Sequence, residues 1–143
     1  MTSLSFPDLN VWLALVSHEH LHSASARRWW NSSSGRIAFC RLSQLGLLRL
    51  LTTAAVMNDK PLSFDEAWRV HDSLFADERV VFSSEHSQTD RLFRTKTTGP
   101  ASAPKVWADA WLLAIAEAAG GVLVTFDKAL ATRGAHCLLS KRG

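Results

Sequence analysis

The sequence predicts an α/β domain in which helices cover a mostly parallel central sheet. Three observations predict it. Short runs of β-branched and apolar residues alternate along the chain with longer stretches of helical period. The connections between them are short, apart from one Gly/Pro-rich loop, "TTGPASAP". Aspartates stand directly after two of the strand-like runs, at the sheet edge where α/β domains gather ligands.

In chain order, "LSF" (Leu4 to Phe6) is a brief first strand stopped by Pro7, which has no N–H to give a ladder. "NVWLALV" begins a helix with Asp8 just before it, and "SASARRWW" carries a second helix that "NSSSG" breaks. "RIAFC" (Arg36 to Cys40) is a second strand. In "RLSQLGLLRLLT" after it, Leu42, Leu45, Leu48, Leu50 and Leu51 suggest the apolar stripe of a helix. Ser63 and Glu66 form a capping box that starts a helix reaching about Phe75. "RVVF" (Arg79 to Phe82) is a third strand, and His86 to Lys96 reads as a polar-faced helix. After the "TTGPASAP" loop, "KVWADAWLLAIAEAA" is rich in helix formers and ends at Gly120 and Gly121. "VLVTF" is a buried strand followed at once by Asp127, and "HCLL" is a last edge strand.

The length of 143 residues suits one domain over residues 1–143 with a single sizeable core. Hydrophobic residues at 47% and charged residues at 20% exclude a disordered chain. A formal charge of +3 and a pI near 9.2 lean toward a polyanionic partner. Cys40 and Cys137 are too few for a disulfide scaffold or a four-thiolate zinc site, so reduced, packed thiols are expected. No run nears the ~18 apolar residues that span a bilayer, and "MTSLSFPDLN" lacks the basic start of a signal peptide, so the expectation is a cytoplasmic protein without a membrane.

His18, Glu19 and His22 spell H-E-x-x-H, the zinc-peptidase pattern, which works only inside one helix. Here a helix boundary falls within the motif and no third ligand follows closely, so a loop role is expected for His18, Glu19, His20 and His22.

The aspartates are the stronger signal. Asp8 follows the first strand, Asp127 follows "VLVTF", and Asp109 lies in the first turns of the helix after "TTGPASAP". Each alone suits a cap or a turn. Together they suggest three carboxylates converging at one sheet edge. Clustered carboxylates repel unless a cation sits among them, and hard oxygen donors favour Mg²⁺ or Mn²⁺ over Zn²⁺. On a basic domain such a site points to phosphodiester chemistry.

"FPDLNVWLAL", "CRLSQLGLLRLLT" and "KVWADAWLLAIAEAAGGVLVTFDKAL" resemble, in order, the three signature blocks of PIN-domain ribonucleases, specifically the VapC-type toxins of bacterial toxin–antitoxin pairs. The resemblance implies a PIN-like three-layer sandwich and Mg²⁺- or Mn²⁺-dependent cleavage of structured RNA. It also implies a cognate VapB-type antitoxin that masks the acids, and a homodimer. By matching position, Asp8, Asp109 and Asp127 become the metal-binding carboxylates, with Asn10 and Thr125 as polar neighbours. Gln44 falls where the family usually has a glutamate, so it joins the catalytic set as an uncharged member that weakens metal binding.

Arg41 and Arg49 flank Gln44 and are candidates for RNA phosphate contacts, with Arg27, Arg28, Arg91, Arg94 and Lys96 adding charge. Trp107 and Trp111 share a helix face near Asp109, where core packing is expected and base stacking is the alternative. Two other functions compete: a catalytically weak PIN-like module that binds RNA or protein, and a phosphate-transfer domain with a strand-end aspartate as nucleophile. Lys128, next to Asp127, is poorly placed for the second.

Overall fold

The computed structural model describes residues 3–139, in the order β1 (Leu4–Pro7), α1 (Leu9–Val16), α2 (Ser23–Ser32), β2 (Arg36–Phe39), α3 (Arg41–Leu51), α4 (Phe64–Leu74), β3 (Val80–Phe82), α5 (Thr89–Lys96), α6 (Val106–Ala118), β4 (Val122–Thr125), α7 (Lys128–Ala131) and β5 (His136–Cys137). Among the described residues the strands form one sheet, ordered β3-β2-β1-β4-β5, and every pairing is parallel. The short α7 is an element that the sequence reading lacks, because four residues are too few to show a helical period. No helix among the described residues is long and apolar enough to cross a membrane.

Side-chain alternation along the strands builds the two faces. Ile37, Phe39 and Val124 point toward α1 to α4, where Trp12 stacks on Phe39 with ring centroids 3.8 Å apart. Phe6, Ala38, Cys40 and Leu123 point the other way, onto Leu112, Leu113 and Ile115 of α6. Helices thus cover both faces, as an all-parallel sheet requires.

Two adjoining glycines set the entry of β4. Gly120, at φ +73°, ends α6 in the left-handed region, and a Cβ on Gly121 would stand 2.6 Å from the Leu4 carbonyl oxygen of β1. The close approach lets β4 pair beside β1, in register from Ser5 with Val122 to Pro7 with Val124.

That pairing defines the functional edge. The chain lays down β1, β2 and β3 outward on one side, then returns to place β4 on the other side of β1. The connections leaving β1 and β4 therefore diverge and open a crevice at their carboxyl ends.

Candidate active site

Asp8 sits at that crevice because β1 ends at Pro7 and α1 begins at Leu9, leaving one residue to make the turn. Its backbone N–H donates to the Val124 carbonyl at 2.9 Å, which continues the ladder. Its carboxylate caps α1, with Oδ1 accepting from the Val11 N–H at 3.2 Å. Oδ2 accepts from the Thr125 hydroxyl at 2.5 Å. Capping thus fixes the carboxylate in place and leaves it free to serve the cleft as well.

Thr125 ends β4 and is fully buried. Its oxygen donates to Asp8 and accepts the Asp127 N–H at 3.0 Å, so one hydroxyl ties the loop after β4 to the acid after β1. Asp127 in turn caps α7, its Oδ1 accepting from the Ala129 N–H at 2.9 Å. Replacing Thr125 with Val keeps the shape and deletes both bonds. The expected result is a loss of about 1–3 kcal/mol in unfolding free energy by urea titration, since the Asp127 N–H loses its acceptor.

Asp109 enters from the first turn of α6. Burial pushes its carboxyl above the usual carboxylate range, the charge of Asp127 adds to this, and Arg133 opposes it. Burial likewise raises Asp8. Hydrogen bonds from Thr125, Val11 and Asn10 counter the rise, and the charge of Asp109 adds to it. Asp109 thus stands between the other two: the charge of Asp127 raises it, and its own charge raises Asp8.

Asp8 and Asp109 line a cleft of about 350 Å³ with Asn10, Leu42, Leu45, Gly46 and Arg49. Asp127 is exposed and acts on it through charge on Asp109. Among the described residues no group of three or more His, Cys, Asp or Glu side chains is gathered to hold a metal ion by itself. Two cleft carboxylates, both raised by burial and each by a neighbouring aspartate charge, still fit a Mg²⁺-type ion, which takes one or two carboxylates, keeps several waters and draws on substrate phosphates.

A PIN-domain family model matches residues 5–135. The chain belongs to the PIN-domain family. It is 38% identical over 133 residues to ribonuclease VapC41 of Mycobacterium tuberculosis, covering 89% of this chain and 91% of the relative. To ribonuclease VapC44 of the same organism it is 31% identical over 127 residues, covering 87% and 86%. Among solved structures, the M. tuberculosis VapC20, a sarcin–ricin loop cleaving toxin, aligns at TM-score 0.65 with 14% identity over 92% of this chain and 95% of that one. VapBC2 from Rickettsia felis, bound to a DNA fragment from its promoter, aligns at TM-score 0.56 with 13% identity over 98% and 99%. The last two matches speak for the fold alone.

In this PIN domain Gln44 does not line the cleft that holds Asp8 and Asp109. It is buried, its Oε1 accepts from Arg41, and its Nε2 meets His71 Nε2 of α4 at 3.2 Å. The α3 face turned to the cleft is Leu42, Leu45, Gly46 and Arg49, which carries a guanidinium and no carboxylate. The leucine stripe is corrected with it: Leu45 is 57% exposed at the cleft, whereas Leu47 and Leu51 are the buried leucines. Spacing of i, i+3 and i+4 from Leu42 would have flagged this face. Arg133, which tempers Asp109, carried no sequence signal because α7 and its turn are irregular.

Several other cations, and the histidines of the H-E-x-x-H stretch, take structural partners. Arg27 donates to the Leu15 carbonyl, Arg94 pairs with Asp90, and Lys96 pairs with Glu117 at 2.6 Å. His18 to His22 fall in turns between α1 and α2. There the His20 and His22 rings lie 5.8 and 4.7 Å from the Phe126 ring, and Glu19 accepts from Asn58. Both cysteines are free, with Cys40 buried and Cys137 half-buried. Trp107 departs from core packing: it is 57% exposed, edge-on to Phe93.

Proposed function

We propose that the chain is a Mg²⁺- or Mn²⁺-dependent endoribonuclease toxin that cleaves structured RNA and is restrained by a cognate VapB-type antitoxin. The observation that carries this reading is the meeting of Asp8 and Asp109 in one cleft at the divergence of β1 and β4. Relatives named as ribonucleases over most of the chain support it, and a structural neighbour that pairs a VapC with its VapB supports the antitoxin. The sarcin–ricin loop named for VapC20 supports structured RNA as the substrate class. We further propose a cytoplasmic homodimer.

Asp8 and Asp109 would hold the ion, which when bound supplies a more acidic water and stabilises charge on the reacting phosphate. Thr125 keeps the Asp8 carboxylate oriented from behind through its hydroxyl. Asp127 adds negative potential that favours the cation, while Arg133 limits the accumulated charge around Asp109. Asn10 and Arg49 face the same cleft, where an amide and a guanidinium can hold phosphate oxygens in line with the acids. Hydrolysis adds water across one P–O bond and leaves a phosphate end and a hydroxyl end.

The test is incubation of purified protein with total RNA in Mg²⁺, with fragment ends mapped by sequencing. Discrete cuts by the wild type, lost in Asp109→Asn, are expected; equal cutting by the variant defeats the proposal. The second reading, a weakly catalytic module that binds RNA or protein, is favoured by the missing carboxylate on the cleft face of α3 and the lack of a ready three-ligand group among the described residues. Saturable RNA binding without Mg²⁺-dependent cuts would support it.

A further inference from the structure

A second cleft, of about 250 Å³, opens on the same sheet edge at the carboxyl end of β3. Arg41, Phe82, Ser84, Glu85 and Trp111 line it. Phe82 is the last residue of β3 and stays 37% exposed, although the adjoining strand positions turn into the core. The Arg41 guanidinium lies 4.8 Å from the centre of its ring.

Arg41 is held there by a relay whose two middle members, His71 and Gln44, are buried. Asp72 Oδ1 accepts from His71 Nδ1–H at 2.8 Å, His71 Nε2 accepts from the Gln44 amide at 3.2 Å, and Gln44 Oε1 accepts from Arg41. Gln44 joins the two ends through its amide, donating from Nε2 to the ring and accepting at Oε1 from the guanidinium. A carboxylate there would have no N–H to offer the ring.

The composition of this cleft is specific. Two aromatic rings and a planar cation offer faces for stacking. Ser84 supplies a hydroxyl and Glu85 an acceptor, which suits the exocyclic amine of a base and repels a phosphate. The carboxyl ends of β2 and β3 lie one and two strand spacings, about 5 and 10 Å, from the β1 end that carries Asp8.

We propose that this cleft is a nucleobase subsite, in which an unpaired RNA base next to the scissile phosphate stacks against Phe82 and Trp111 beside Arg41, with its amine edge toward Glu85. The proposal deepens the nuclease reading and rests on it for the substrate class.

The test measures binding, so it does not depend on cutting. Labelled single-stranded oligoribonucleotides of A, C, G or U are titrated against Asp8→Asn protein in Mg²⁺, alone and combined with Phe82→Leu or Glu85→Gln. Phe82→Leu is expected to weaken binding roughly 10- to 100-fold. Glu85→Gln is expected to shift the preference away from the amine-bearing A, C and G relative to U. Should Phe82→Leu fail to fold by thermal melt, the surface variant Glu85→Gln decides alone. No saturable binding, or affinities and base preferences unchanged by every folded variant, overturns the proposal. Cutting by the wild type with unchanged binding in the variants removes the subsite and keeps the nuclease. Dependence on Phe82 or Glu85 without any cutting keeps the subsite and removes the nuclease.

Discussion

Asp8→Asn is expected to lower RNA cleavage by on the order of 10³-fold while leaving the melting temperature unchanged or higher by up to about 5 °C. The two effects separate because the carboxylate has two tasks. As a helix cap it needs only an oxygen to accept the Val11 N–H, and asparagine caps as well as aspartate. The Thr125 hydroxyl can turn to accept from the new amide. As a cleft group, Asp8 needs its charge, which burial and Asp109 make costly in the free protein. Removing a charge held at a cost relieves the fold, and the same removal takes away an ion ligand. Calorimetry beside a cleavage assay checks both halves. A variant that melts well below the wild type would show that the charge serves the fold, and one that cuts at the wild-type rate would show that it does not serve the chemistry.

Metal removal is expected to have the next largest effect. EDTA should reduce cleavage to background and Mg²⁺ or Mn²⁺ should restore it. At ~100 times its dissociation constant, a bound ion adds about 2.7 kcal/mol, or roughly 8 °C for a chain of this size. The pH dependence of that gain follows from the aspartates. Asp8 and Asp109 have folded-state values above the ordinary 3.8, so the folded state takes up protons at a higher pH than the unfolded state. Without metal, their unfavourable charge is present above the raised values and is relieved as pH falls through them. With metal, the ionised forms are favoured, and the gain is lost over the same fall. The difference in melting temperature with and without Mg²⁺ should therefore shrink from neutral pH downward and vanish below the ordinary aspartate range. A difference that stays constant with pH, or that persists in Asp8→Asn, would exclude these carboxylates as ligands.

Much of this was legible in the residues. Asp8 and Asp127 announce themselves because a carboxylate directly after a buried strand can only stand at its carboxyl end, and parallel strands share that end. The H-E-x-x-H letters lie outside any helix: Ser17 to His22 form turns, so no helix holds the two imidazoles on one face. Trp107 was misread because helical spacing shows that residues share a face and does not show what the face meets. Gln44 stands away from the cleft for a related reason. Matching it to the family's glutamate assigned it to the cleft, but the rotation of α3 is set by Leu47 and Leu51 sinking into the core and by Gly46 lying against Leu9. Those contacts turn Gln44 toward His71 and Arg49 toward the acids.

Alone, the sequence determined the α/β class, the PIN resemblance, the capping of α4 by Ser63 and Glu66, and the strand-end aspartates. These depend on local period, capping chemistry and chain order, which a string of residues carries in full. Only the tertiary structure decided that Thr125 joins Asp8 to the Asp127 loop, that Arg49 and not Gln44 faces the acids, and that Arg41 is braced over Phe82 beside a second cleft. Each of these is a contact between distant segments, fixed by how helices rotate to bury their largest side chains, and that rotation is a property of the packed whole.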